Sequence, residues 1–256
     1  MLKKILFTAV FAAVGMLATA QWFQTMEEKL DYIKDSNSSC TLGFIDEVEK
    51  ELLKKYTDKD LRFGITNMRR GDIMFAGGNY DAAIASYRKA VACYVKNNRK
   101  GTADEAYAYY KMARAEDMQS KPNAALLHYE QSAKIFDKME FSLDLRAAES
   151  FNGLGHAYNR KERYNEAFGY LFKAMNIYQG AKSAKMTTTP QDIEFSDVYY
   201  NMGVACTGNG SYEKAAEYYT KSLKIREEFL GKNSPTAKMT REKLEDVSSR
   251  QAAARN

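Results

Sequence analysis

Histidine is almost missing from this chain: 256 residues hold two, His128 and His156. Helical phase turns His128 outward and sets His156 on a different side of its helix from Leu154 and Tyr158. No Ser-His-Asp or Cys-His set assembles around either of them. Metal-ligand spacings such as Cys-x2-Cys or His-Glu-x2-His are absent. The glycine pair Gly77-Gly78 falls in a turn between helices, not in a phosphate-cradling loop. The carboxylate pairs Glu27-Glu28 and Asp46-Glu47 read as solvated helix faces. The expectation is a non-enzyme that needs no metal and no cofactor.

Proline is scarce too and falls only at unit edges: Pro122 opens a helix, Pro190 sits in an insertion, and Pro235 lies between the last two helices. No stretch alternates as a half-buried strand does. Excess charge is small: the net value of +5 falls to +3 if Lys3 and Lys4 are removed, and basic blocks end at pairs such as Lys54-Lys55 and Arg69-Arg70. Nucleic acid is therefore not an expected partner.

The long apolar run is at the start. Ile5 to Leu17 follows Lys3 and Lys4 and leads to Ala18-Thr-Ala20, the pattern of a cleaved secretory signal over residues 1–20. Nothing after Gln21 is apolar for long enough to span a bilayer. The expectation is an exported mature chain, 21–256, periplasmic or secreted, with no stable membrane insertion; so short a signal suggests a bacterial envelope. Export permits disulfides, yet Cys40, Cys93 and Cys206 make an odd count. Two whole repeats separate Cys93 from Cys206, too far to bridge. Cys40 and Cys93 remain open between a disulfide and two small apolar side chains.

What is abundant is a repeated helix pair. The motif Tyr80-Asp-Ala-Ala83 recurs as Pro122-Asn-Ala-Ala125, Tyr164-Asn-Glu-Ala167 and Tyr212-Glu-Lys-Ala215. The equivalent alanines, 83, 125, 167 and 215, are spaced by 42, 42 and 48 residues. A fixed period of this size means stacked units, each leaving an apolar stripe for its neighbour to cover. In the third copy Phe151, Leu154, Gly155 and Tyr158 line a first helix, while Ala167, Leu171 and Ala174 face them from a second. Small residues at 155, 167 and 174 let the helices approach closely.

The pattern Gly155-x2-Tyr158, then Tyr164-x2-Ala167-x3-Leu171-x2-Ala174, resembles the tetratricopeptide repeat. Copy four repeats it with Cys206 at the aromatic position, and copy two carries Glu116 and Pro122 where Tyr158 and Tyr164 stand. The period exceeds the usual one of about 34 residues, and Phe229-Leu-Gly-Lys-Asn-Ser-Pro235 is similar to an inter-repeat turn of the kinesin-light-chain type. The resemblance implies an all-α, right-handed solenoid of about four helix-turn-helix repeats with helical caps. The expected repeats cover about 61–100, 101–141, 142–182 and 193–231. Residues 21–60 form a cap or a degenerate repeat, and 232–256 a capping helix and tail. The six extra residues of the last step fall in an expected loop at 182–191, either a protrusion or a tolerated insertion.

The resemblance further implies a ligand groove lined by first helices. Carried over residue by residue, it comprises Tyr107, Tyr110, Lys111 and Arg114 in copy two, and Asn152, His156 and Asn159 in copy three. Copy four adds Tyr200 and Asn201, and copy one, whose turn reads as shorter, adds Arg69 or Arg70. In the tyrosine pairs, Tyr109 and Tyr199 are expected to pack inside while Tyr110 and Tyr200 face the groove. Amides and cations on such a wall suit an extended peptide. The expected function is a scaffold or adaptor binding another protein, with oligomers open. The alternatives are a periplasmic chaperone for envelope clients and a sensor of a glycan or peptidoglycan fragment.

Overall fold

The computed structural model describes residues 23, 25–35, 39–58, 60–139, 143–185 and 189–253. The expected signal segment 1–20 lies outside them. The described residues form eleven helices and no strand. They are α1 Met26–Lys34, α2 Leu42–Leu53, α3 Leu61–Ala76, α4 Tyr80–Lys96, α5 Ala103–Met118 and α6 Pro122–Phe136. There follow α7 Leu145–Arg160, α8 Tyr164–Ser183, α9 Thr189–Gly208, α10 Tyr212–Leu230 and α11 Pro235–Ala253. The chain divides into two compact units, Met1–Lys121 and Pro122–Asn256. No helix among the described residues is long and apolar enough to cross a membrane.

Local chemistry starts and stops these helices. Thr25 and Glu28 form a reciprocal capping box on α1, and Thr41, Asp60, Asn79, Thr102 and Asp144 each accept a backbone N–H at a helix start. The turn joining each helix pair puts one residue at positive φ: Gly78 (75°), Ser120 (57°), Glu162 (59°) and Gly210 (72°). The next residue's N–H returns five positions, from Asn79 to the Met74 carbonyl, Lys121 to Glu116, Arg163 to Tyr158 and Ser211 to Cys206. This is a Schellman closure, and it has the same length in every copy. The first turn is therefore not shorter than the others, and the expected ambiguity between Arg69 and Arg70 disappears.

In the first unit α3 and α4 pack through glycine. A Cβ on Gly71 would sit 2.4 Å from the Tyr87 ring, and one on Gly64 2.7 Å from Tyr94. Two aromatic side chains thus lie directly on helix backbone. The N-terminal helices close a second core, where Ile33, Ile45, Val48 and Leu52 meet Phe63 and Cys93. Arg70 ties α3 to α2 through Asp46 (2.7 Å) and Glu49 (2.8 Å).

The second unit uses the same contact twice more. A Cβ on Gly155 would meet Leu171 at 2.5 Å, and one on Gly203 would meet Tyr219 at 2.6 Å. Val247 of α11 is fully buried with Cys206 and Tyr219, and Leu244 packs against them. Helix enters the expected loop at 182–191 from both sides: α8 runs on to Ser183 and α9 begins at Thr189, with 186–188 outside the described residues. Pro190 permits this because the first turn of a helix needs no N–H from it.

Cys40, Cys93 and Cys206 are buried free thiols. Burial pushes Cys93 and Cys206 up to about 11; nearby carboxylates, foremost Asp58, add to this at Cys93, while the Lys214 charge offsets part of it at Cys206.

Candidate functional site

The first unit gathers the four candidates of copy two on α5, opposite α3. Tyr107 and Tyr110, one turn apart, stack with ring centroids 5.4 Å apart and planes 22° apart. Lys111 Nζ lies 5.0 Å from the Tyr107 centroid and 3.2 Å from Asp72 Oδ1 on α3. Arg114 is exposed, with its guanidinium carbon 5.2 Å from the Phe75 ring and 5.8 Å from Tyr110. Asp72 also accepts a 2.8 Å hydrogen bond from the Tyr87 hydroxyl. Burial first, and then the Asp72 charge, pushes the Tyr87 phenol upward. Two cations are therefore held over aromatic rings, one of them anchored by a carboxylate.

Several expectations are corrected here. Tyr110 is buried, at 8% exposure, while Tyr109 is the more open of that pair. Stacking on Tyr107 and cover from Arg114 shut the Tyr110 ring away, although its helical phase points it toward α3. Arg70 does not face a groove, because Asp46 and Glu49 hold it against α2. Arg69 also turns to the N-terminal helices, where it meets the Cys40 thiol that burial raises and this guanidinium partly lowers again. By the common phase of Gly71, Gly155 and Gly203, the first-helix positions of copy one that correspond to Asn152, His156 and Asn159 are Met68, Asp72 and Phe75. Asp72 and Phe75 are the residues that sequence reasoning missed, and the period itself contains the signal for them.

In the second unit the expected amides bond to one another, although Asn159 Oδ1 is buried with no hydrogen-bond partner among the described residues. Asn201 donates through Nδ2 to Asn152 Oδ1 at 2.9 Å, and Asn159 Nδ2 donates to the Asn201 carbonyl at 2.9 Å. Asn159 and Asn201 are buried, so they staple α7 to α9 and are not available to pair with a peptide backbone. His156 is exposed on α7. Tyr200 is partly buried, 5.5 Å from the Tyr219 ring and 4.7 Å from the Arg226 guanidinium carbon. The tyrosine pairs are poor platforms for a sugar, since Tyr110, Tyr199 and Tyr219 are each buried.

Arg226 is the other surprise. It is 3% exposed and wholly engaged: Nη2 donates to Asp197 (2.6 Å), Nε to Ser196 Oγ (3.3 Å), and Nη1 to the Thr236 carbonyl (3.2 Å) and Thr240 Oγ1 (2.5 Å). One side chain on α10 thereby holds α9 and the terminal helix α11.

Two segments, 63–138 and 196–229, match family models described as tetratricopeptide repeat. The chain carries tetratricopeptide repeats over these two segments. Its all-α fold is similar to solved structures at low identity. BtubC (BKLC) from P. vanneervenii is 19% identical, with 89% of this chain and 84% of that one covered and a TM-score of 0.62. The apo form of RapI is 12% identical, over 90% and 84%, with a TM-score of 0.64. NprR in complex with its cognate peptide NprX is 17% identical, over 98% and 68%, with a TM-score of 0.55. No curated protein matches the chain. Tetratricopeptide repeats are in general a non-enzymatic fold for protein interaction, and the α3–α5 cluster lies on first helices of such repeats.

Proposed function

We propose that this tetratricopeptide-repeat protein is a non-enzymatic adaptor that holds an extended partner segment on the first-helix face of α3 and α5. One observation carries the reading: the exposed Arg114 guanidinium lies over Phe75 and Tyr110, beside Lys111 and Tyr107. Rings beneath a guanidinium orient it before any ligand arrives, so little freedom is lost on binding. Its N–H groups pair with carboxylates or carbonyls of a peptide. The fold likeness to NprR, solved with a peptide, is consistent with a peptide or protein partner. The bacterial envelope as its workplace rests on Lys3, Lys4 and Ala18-Thr-Ala20 alone.

The test is affinity capture from an envelope extract, with residues 21–256 as bait beside an Arg114→Gln variant. Arg114 is the residue to change, because replacing the buried Tyr110 would also disturb packing. One dominant partner, lost in the variant, supports the adaptor. A broad set of unfolded envelope proteins replaces it with a chaperone. A dominant partner held equally by both baits removes this face from the account.

A further inference from the structure

The third and fourth repeats build the same local arrangement from equivalent residues. Phe151, Tyr170 and Lys173 in one become Tyr199, Tyr218 and Lys221 in the other, each 48 positions on. The rings of each pair lie at 6.0 and 6.3 Å. Lys173 Nζ is 5.5 and 5.0 Å from its two centroids, and Lys221 Nζ is 5.7 and 5.4 Å from its own.

Besides the Tyr199 hydroxyl, which Phe151 lacks, the two arrangements differ in one charged group. Asp137, at the end of α6, places Oδ1 2.5 Å from Lys173 Nζ. The corresponding residue one repeat on, 42 positions later, is Gln179. Its amide cannot neutralise an ammonium, and it donates instead to the Tyr199 hydroxyl at 3.4 Å. Among the described residues Lys221 has its two ring contacts and no ion pair; Glu217, one turn back on α10, makes none with it. Lys221 is exposed, and so is Gln179 beside it. A cation seated on two electron-rich rings, with its outer hemisphere in water, lacks only the carboxylate that the preceding repeat supplies for itself.

We infer that Lys221, Tyr199, Tyr218 and Gln179 form a docking site for an aspartate carboxylate on a segment of a protein partner, which takes the place that Asp137 takes one repeat earlier. The site is separate from the α3–α5 cluster and does not depend on it. It is one anchor of a longer contact. An isolated exposed pair binds weakly, so the affinity for a short peptide is on the order of millimolar.

The experiment titrates full-length mature chain with an acetylated, amidated peptide of sequence Ala-Lys-Ile-Phe-Asp-Lys-Met, that of residues 133–139. Aromatic ring signals of Tyr199 and Tyr218 and the ammonium signal of Lys221 are followed by NMR. The expected result is a saturable shift that weakens at least threefold when the peptide's aspartate becomes asparagine. Gln179→Asp supplies the carboxylate from within and abolishes the titration, as does Lys221→Gln, while Lys173→Gln preserves it. Equal shifts with both peptides overturn the inference, as does undiminished binding to a folded Gln179→Asp chain.

Discussion

Replacing Arg226 with alanine breaks the polar contacts that join α10 to α9 and α11. Four polar partners are lost, at 2.5 to 3.3 Å, in a side chain that is 3% exposed. Charge-assisted bonds are worth about 1.5–3 kcal/mol each, but the full sum does not apply. The Asp197 side chain is 49% exposed and regains water, and the Ser196 and Thr240 hydroxyls keep their own bonds to the Ile193 and Thr236 carbonyls. What remains is a void beneath Tyr200 and a weakened cap. A cost of about 3 kcal/mol is expected, at the low end for a buried pair that loses one partner. That corresponds to a fall in Tm of about 10 °C. Urea unfolding followed by circular dichroism measures the total, and amide exchange locates it, with α11 losing protection first. Arg226→Met, which keeps the stem volume, should lose less. An Arg226→Ala chain within about 1 kcal/mol of wild type, with α11 still protected, refutes the reasoning.

The glycine contacts give a sharper steric test: Gly71→Ala drives a methyl to 2.4 Å from the Tyr87 ring and should destabilise by about 1–3 kcal/mol. Gly169→Ala, an exposed helical site with open space around it, should gain about 0.5–1 kcal/mol in the same urea assay. Glu162 pays for φ of 59° that glycine adopts freely at the matching Gly78 and Gly210, so Glu162→Gly should stabilise by about 1 kcal/mol. Burial foremost, and for Tyr158 a 2.9 Å bond to Glu130, pushes the Tyr158 and Tyr219 phenols up to about 12. Their stabilising share is intact below about pH 10, the unfolded tyrosine value, and is lost as pH rises through about 12. Phenolate absorbance during alkaline titration should show these rings ionising late, together with loss of helicity; early ionisation of every tyrosine contradicts this.

The period was readable because the packing depends on it. Gly71, Ala113, Gly155 and Gly203 recur at the same 42-, 42- and 48-residue steps as the motif alanines, and those glycines are where a helix backbone meets its partner's side chain. The ends of the array were harder to read. Arg70 stands in a column with the buried Met112, Leu154 and Met202, and Arg226 in a column with the buried Tyr94, Phe136 and Tyr178. A charge in an apolar column looks like a solvated face until its neighbour is known. Here the neighbours are the capping helices, whose Asp46 and Glu49 at one end, and Thr236 and Thr240 at the other, receive the guanidinium. The amide wall failed for a similar reason: helical phase places Asn152, Asn159 and Asn201 near one another, and side chains that close bond to each other before they serve a ligand. At Tyr109-Tyr110 helical phase gave the directions but not the exposure: Tyr109 packs against the core, and stacking on Tyr107 buries the Tyr110 ring.

Hydroxyl-radical footprinting of the chain with its captured partner tests the central claim most directly. Phe75, Tyr107 and Arg114 sit on the first-helix face, while Phe172 (46% exposed) and Phe229 (36%) lie on second helices. The account predicts that partner binding shields Phe75 and Tyr107 from oxidation and leaves Phe172 and Phe229 as reactive as before. Protection of Phe172 and Phe229 with Phe75 and Tyr107 unchanged would contradict it.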